Sequence, residues 1–214
     1  LQGRIERRLF AVVQRDGGQL GEVEKRLQAE FGVDSTTIRN CWDNVKGKIR
    51  SAKELTKAHI DNLKGTIRSI EGWLKKHQDD PKKRFEVHQK KRRLAIKKQK
   101  LAAMRERMAS GDVSIAFGSK RLFRAQFHLE ANGYGSHEEW LADWRDARSG
   151  NVMMVGNKKH KAGNQLCKLT ADGQLTITVP DCLSDRFGRF QQADGVRFRY
   201  GQSVINDALT PVHY

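Results

Sequence analysis

The chain has 214 residues, enough for one large domain or two small ones, and its apolar residues are too well patterned for a wholly disordered protein. No apolar run approaches the ~20 residues that a membrane-spanning helix needs. A formal net charge of +16 points instead to a polyanionic partner.

No signal peptide is visible, and the chain begins at Leu rather than Met, as expected of a start partway into a longer protein. Residues 4–14 predict a short helix stopped by "DGG". Residues 20–31 predict a second, with Val23, Leu27 and Phe31 at four-residue spacing. In "GVDSTTIRN", Gly32 ends that helix, and Asp34 or Ser35 can cap the next by accepting from its free N–H groups. A helix, a short turn and a capped polar helix outline a helix-turn-helix. Ser35, Thr36, Thr37, Arg39 and Asn40 would then be candidates to meet base edges. A plain helical corner has the same outline.

From Ile60 the apolar residues Leu63, Ile67, Ile70 and Leu74 alternate three and four apart, a coiled-coil-like seam. "DDPKK" interrupts it, because Pro81 cannot continue a helix and suits the first turn of a new one. Val87, Leu94, Leu101 and Met108 then repeat every seven residues, with Met104 between the last two, so two long arms should fold back as an antiparallel hairpin. The net charge is concentrated on the second arm. Between 81 and 108 the only acids are Glu86 and Glu106, against Lys82, Lys83, Arg84, Lys90, Lys91, Arg92, Arg93, Lys97, Lys98, Lys100, Arg105 and Arg107. A charged helix face is commonly just solvated, but this one repels itself unless an anion is bound, which favours nucleic acid.

After "SGD" the pattern changes. "SIAFG" is strand-like and leads into a short basic amphipathic helix carrying Lys120, Arg121 and Arg124. "SHEEWLADWRDARSG" is a capped helix, with Ser136 and Glu139 spaced as a capping box and Trp140 and Trp144 one turn apart as core residues. Strands are expected in "NVMMVG", on both sides of a two-residue Asp172–Gly173 turn in "QLCKLTADGQLTITVP", and in "GVRFRYG". That last strand should place Val196, Phe198 and Tyr200 opposite Arg197 and Arg199. The expected class is therefore α+β: a helical domain over 1–109 with a long antiparallel hairpin, then a small β-barrel over 110–214 with short helical insertions.

The loop "VGNKKHKAGNQ" admits three readings: a phosphate-holding loop, a metal site at His160, or a connector. His160 has no His or Cys partner nearby in sequence, and the strand-like flanks favour a connector whose Lys158, Lys159 and Lys161 suit RNA phosphates. Asn164 and Gln165 either join that contact or cap the following strand. Cys41, Cys167 and Cys182 are far apart with no CxxC, which argues against a disulfide framework or a zinc site and fits a reducing cytoplasm. No Walker loop, GxGxxG, GxSxG or HExxH is present, so no catalytic residue and no metal ligand is expected in this chain.

From "VKGKIRSAKEL" and "HQKKRRLAIKKQKL", through "IAFGSKRLFRAQFHLEANGYGSHEEWLADWRDARSGNVMMVGNKKHKAGNQLCKL", to "LTITVP" and "VRFRYGQSVINDAL", the chain resembles one family. It is similar to the N-terminal half of TnpB-like, transposon-encoded RNA-guided DNA nucleases and the small type V CRISPR effectors related to them. "FGSKRLF" and the "GN…AGNQ" pair are the more specific parts of the match. The resemblance implies a helical recognition domain and an oligonucleotide-binding barrel called the wedge, here incomplete at its C-terminus. In that family a RuvC-like nuclease domain, which uses magnesium, and a zinc-bearing element follow; neither is present in this sequence.

What the resemblance implies is guide-RNA binding and target recognition by a prokaryotic, cytoplasmic, nucleoid-associated protein. Its partners would be a guide RNA, target double-stranded DNA and a RuvC-bearing remainder or second chain, with no membrane. Residues 35–40 would approach a target-adjacent DNA motif, and the basic arm over 82–100 would track the RNA–DNA heteroduplex. Lys120, Arg121, Arg124, Lys158, Lys159, Lys161, Asn164, Gln165, Arg197 and Arg199 would face RNA. The rival readings are a stand-alone helix-turn-helix transcriptional regulator and a non-catalytic assembly subunit whose basic hairpin docks an acidic protein.

Overall fold

Apolar spacing places the first helices where the residues on one face can be buried together. In the computed structural model, which describes residues 1–16, 20–150, 152–156 and 164–209, α1 (Gln2–Asp16) buries Ile5, Leu9 and Val12. α2 (Leu20–Phe31) buries Leu27 and packs on α1. Gly32 ends α2 in the left-handed region at φ +62°, which lets its N–H donate to the Gln28 carbonyl at 2.8 Å. Asp34 then caps α3 (Ser35–His77), its Oδ1 accepting from Thr37 N at 2.7 Å. α3 is one uninterrupted helix of 43 residues, joining the segment after Asp34 to the seam from Ile60.

The chain divides into two compact units. The first comprises Leu1–Asn44 with Phe117–Tyr214, the second Val45–Ala116. The N-terminal helices therefore group with the C-terminal half, and the second unit is essentially the hairpin.

In the second unit, Asp80 Oδ1 accepts from Lys82 N at 3.0 Å and Pro81 opens a 3-10 turn that feeds α4 (Arg84–Ala109). Ile70, Leu74 and Val87 form the buried cluster between the arms, with Trp73 and Leu94 packed against it. Ile60, Leu63 and Ile67 are buried along the first arm. The seam positions of α4 stay more open, and Met108 is 41% exposed.

The first unit contains the remaining elements. Ser119 caps α5 (Lys120–Ala125), and Ser136 caps α6 (His137–Ser149) by accepting from Glu139 N at 3.2 Å. Glu139 Oε2 returns the bond to Gly135 N, one residue earlier than the usual capping box. Trp140 and Trp144 are core, stacked at 6.0 Å with Ala125, Leu122 and Leu129 around them. The indole N–H of Trp140 donates to the Leu122 carbonyl at 2.7 Å, so its one polar atom is satisfied inside the cluster.

Strands β1 (Cys167–Leu169), β2 (Leu175–Thr178) and β3 (Phe190–Ala193) form an open antiparallel sheet in that order, with Cys167 opposite Ile177 and Thr178 opposite Phe190. The class is α+β and mostly helical, with this small sheet. α7 (Asp181–Phe187) links β2 to β3, and α8 (Gln202–Leu209) follows. Cys41, Cys167 and Cys182 form no disulfide. Among the described residues no helix is long and apolar enough to cross a membrane.

Four local expectations are corrected. The β1–β2 connection is a three-residue loop, Ala171–Gly173, closed by Thr170 N donating to the Gln174 carbonyl at 3.0 Å. Gly173 sits at φ +84° and Asp172 is not left-handed, whereas a two-residue type I′ turn at Asp172–Gly173 would need both to be. Residues 112–116 form no strand. Residues 152–156 form none either; the Gln2 side-chain amide takes the place of a strand partner, donating to Met153 O at 3.0 Å and accepting from Met153 N at 2.7 Å. Residues 196–200 leave the sheet after Val196 N donates to Gly173 O, and Arg199 lies over Tyr200 instead of on an opposite strand face.

Candidate nucleic-acid interface

The hairpin's second arm carries its cations in a particular arrangement. At 100° per residue, Arg84, Lys91 and Lys98 fall on one flank of the Val87–Leu94–Leu101 seam. Arg93 and Lys100 fall on the other flank, and Arg92 on the back. Lys83, Lys90 and Lys97, on that other flank and closer to the seam than Arg93 and Lys100, are half-buried, while Lys82, Arg84, Lys91, Arg92, Arg93, Lys98 and Lys100 are exposed. Lys83 and Lys90 place their ammonium groups 5.9 and 5.3 Å from the Trp73 ring, which also stacks on His77 at 4.5 Å. Within this set and among the described residues, only Lys98 has a carboxylate partner, Glu71 at 2.6 Å. The arm is thus positive on every side except the one packed on α3.

In the first unit, the residues at the start of α3 separate by burial. Thr37 and Asn40 are buried, at 8% and 6% exposure, and line a cavity of about 360 Å³ together with Gln2, Met154, Ile177 and Val179. Asn40 Nδ2 has no hydrogen-bond partner among the described residues. Thr36 and Arg39 are exposed and Ser35 is half-buried. Arg39 Nε donates to Glu24 Oε1 at 2.9 Å, so its guanidinium is already held on α2. Of the five candidate DNA-reading residues, Thr36 and the half-buried Ser35 are open to a partner as arranged, Arg39 is exposed but tied to Glu24, and Thr37 and Asn40 are packed inward.

Lys120, Arg121 and Arg124 on α5 are exposed, as are Arg197 and Arg199. Lys158, Lys159, His160 and Lys161 lie outside the described residues. Asn164 caps the approach to β1: its Oδ1 accepts from Leu166 N at 3.0 Å and its Nδ2 donates to Met154 O at 3.3 Å. Gly156 lies against it so closely that a Cβ there would come within 2.8 Å of Asn164 Cα, which accounts for the first glycine of the "GN…AGNQ" pair. The Gln165 carbonyl accepts from Thr178 Oγ1 at 3.0 Å, and its side chain is free to face outward.

Three further pairs emerge from the structure. Arg186 lies 5.0 Å from the Phe187 ring, Arg189 5.8 Å from Phe190 and Arg199 5.4 Å from Tyr200, and all three rings are exposed. Their signal in the sequence was the recurring Arg–aromatic dipeptide in "DRFGRF" and "RFRY". Among the described residues no three His, Cys, Asp or Glu side chains converge as a metal site would require. No family model, no curated protein and no solved structure matches the chain.

Proposed function

We propose that this chain is the guide-RNA-binding and target-recognition part of a TnpB-like or small type V RNA-guided DNA endonuclease. The observation that carries the reading is α4. Its cations occupy both flanks and the back of the helix, and all but Lys98 and Arg107 lack a carboxylate partner among the described residues. A helix positive on both flanks suits a groove bordered by two phosphate rows, which an RNA–DNA heteroduplex provides. In this reading the sheet β1–β3 belongs to the wedge barrel, and α5, Arg197, Arg199 and the lysines at 158, 159 and 161 hold the folded RNA through phosphates and 2′-hydroxyls. Thr36, Arg39 and Ser35 approach the target-adjacent DNA. Cleavage, with its magnesium, belongs to a RuvC-bearing remainder or second chain, and the setting is the prokaryotic cytoplasm at the nucleoid.

The test is to purify the protein with its nucleic acid, sequence any RNA carried with it, and titrate nuclease-treated protein with heteroduplex, duplex DNA and single-stranded RNA. A single RNA species should co-purify, and heteroduplex should bind with a steep salt dependence that Arg92→Gln with Arg93→Gln reduces. Binding of one specific DNA duplex without RNA would overturn the reading in favour of a helix-turn-helix regulator. A clean absorbance ratio with no heteroduplex affinity would favour an assembly subunit.

A further inference from the structure

We infer that the Arg–aromatic pairs of residues 186–200 form a stacking platform for unpaired bases of a single-stranded nucleic acid. This rests on the nucleic-acid reading above and names the strand state that the first unit takes. Phe190 is 55% exposed and Tyr200 78%, far more than a ring that only fills space beneath a loop. β3, which carries Phe190, is exposed at every position. Each of the three rings has the preceding arginine's guanidinium against it. Such a pair presents a π-face to a base and a cation to the adjoining phosphate, the two contacts that single-strand binders combine. An apolar partner protein would be opposed by the desolvation of three guanidinium groups, whereas a polyanionic strand is attracted by them. Duplexes are excluded from the ring contacts because their bases are already stacked.

The test uses the full chain and a short, fluorescently labelled oligouridine, with a blunt duplex of equal length as comparison. Phe190→Ala with Tyr200→Ala should lower oligouridine affinity by at least about 5-fold, since each stacked base lost is worth about 5- to 150-fold. The slope of log affinity against log salt should stay unchanged, because no phosphate contact is removed. Phe190→Leu with Tyr200→Leu keeps apolar bulk and should lose affinity similarly, which separates stacking from a folding defect when circular dichroism is unaltered. Tyr200→Trp should retain affinity, with emission quenched on saturation relative to the parent protein.

Unchanged oligouridine affinity in both double variants would overturn the inference, as would an equal loss for the blunt duplex. A sedimentation result in which the parent chain self-associates through these rings, with oligouridine affinity insensitive to them, would also overturn it. In any of these cases, heteroduplex binding that still depends on Arg92 and Arg93 would leave the proposed function standing.

Discussion

Glu71 on α3 and Lys98 on α4 meet at 2.6 Å across the hairpin, and this pair neutralises one of the cations on the basic arm. Both side chains are about half exposed, so the pair is worth no more than about 1 kcal/mol to the fold. Its effect on binding should be larger. Glu71→Gln should leave the thermal midpoint nearly unchanged and tighten RNA–DNA heteroduplex binding, with the salt slope steeper by about one. Anisotropy titrations at several salt concentrations read both quantities. A weaker-binding Glu71→Gln variant would mean that Glu71 positions Lys98 instead of competing for it.

The close approach of α1 to α6 rests on Gly3. A Cβ at that position would sit 2.5 Å from the Arg148 carbonyl oxygen, which also accepts from Arg7 Nη1 at 3.1 Å. The obstructing atom is backbone, so relief requires the helices to move apart. Gly3→Ala should therefore destabilise the first unit by about 1–3 kcal/mol, despite alanine's better helix propensity. Gly65, in the interior of α3, has open space where its Cβ would go. Gly65→Ala should stabilise the hairpin by about 0.5–1 kcal/mol. Amide exchange resolved to each unit distinguishes the opposite signs.

These contrasts bear on what the sequence made legible. α2 was readable to its end residues because Val23, Leu27 and Phe31 sit at helical spacing and Gly32 supplies the stop. The hairpin was readable because its seam is long and Pro81 marks the turn. The expected strands at 152–156 and 196–200 did not form, since alternation says which side would be buried but not whether a backbone partner exists. Met153 instead finds its partner in Gln2, 151 residues away, through a side chain that no periodicity reveals. The inward packing of Thr37 and Asn40 was equally hidden, because polar residues on a buried helix face look like surface residues in one dimension. The cations of α4 were legible as a group; their distribution around the helix needed the seam to be fixed first.

The β1–β2 loop gives a prediction with pH. The Thr170 side chain, and then the backbone N–H groups of Asp172 and Gln174, hold the Asp172 carboxyl below its ordinary value of 3.8. A carboxyl lowered on folding stabilises the loop above its unfolded pKa, and that contribution is lost as pH falls through the folded one. The protection of the Gly173 and Gln174 amides, measured against their intrinsic exchange rates, should therefore fall below about pH 4. Asp172→Asn should abolish that acid-dependent step. Persistence of the same step in the variant would assign it to another group.

Arg39 and Glu24 offer the sharpest test of DNA recognition at the start of α3. Arg39 is 65% exposed but its Nε is held 2.9 Å from the nearly buried Glu24 carboxylate. To bond a base edge the guanidinium must leave that carboxylate or extend past it with its remaining N–H groups. Glu24→Gln weakens the tether while preserving the side chain's size, so it should raise affinity for duplex bearing the target-adjacent motif. Arg39→Gln should flatten the preference among duplexes that differ only in that motif, by about 1–3 kcal/mol for a lost bidentate contact, without reducing guide-RNA affinity. Selection from a randomised duplex pool with RNA-loaded protein measures the preference directly. If the wild type and Arg39→Gln select the same motif, Arg39 serves only to tie α3 to α2, and the reading residues must lie elsewhere on the chain.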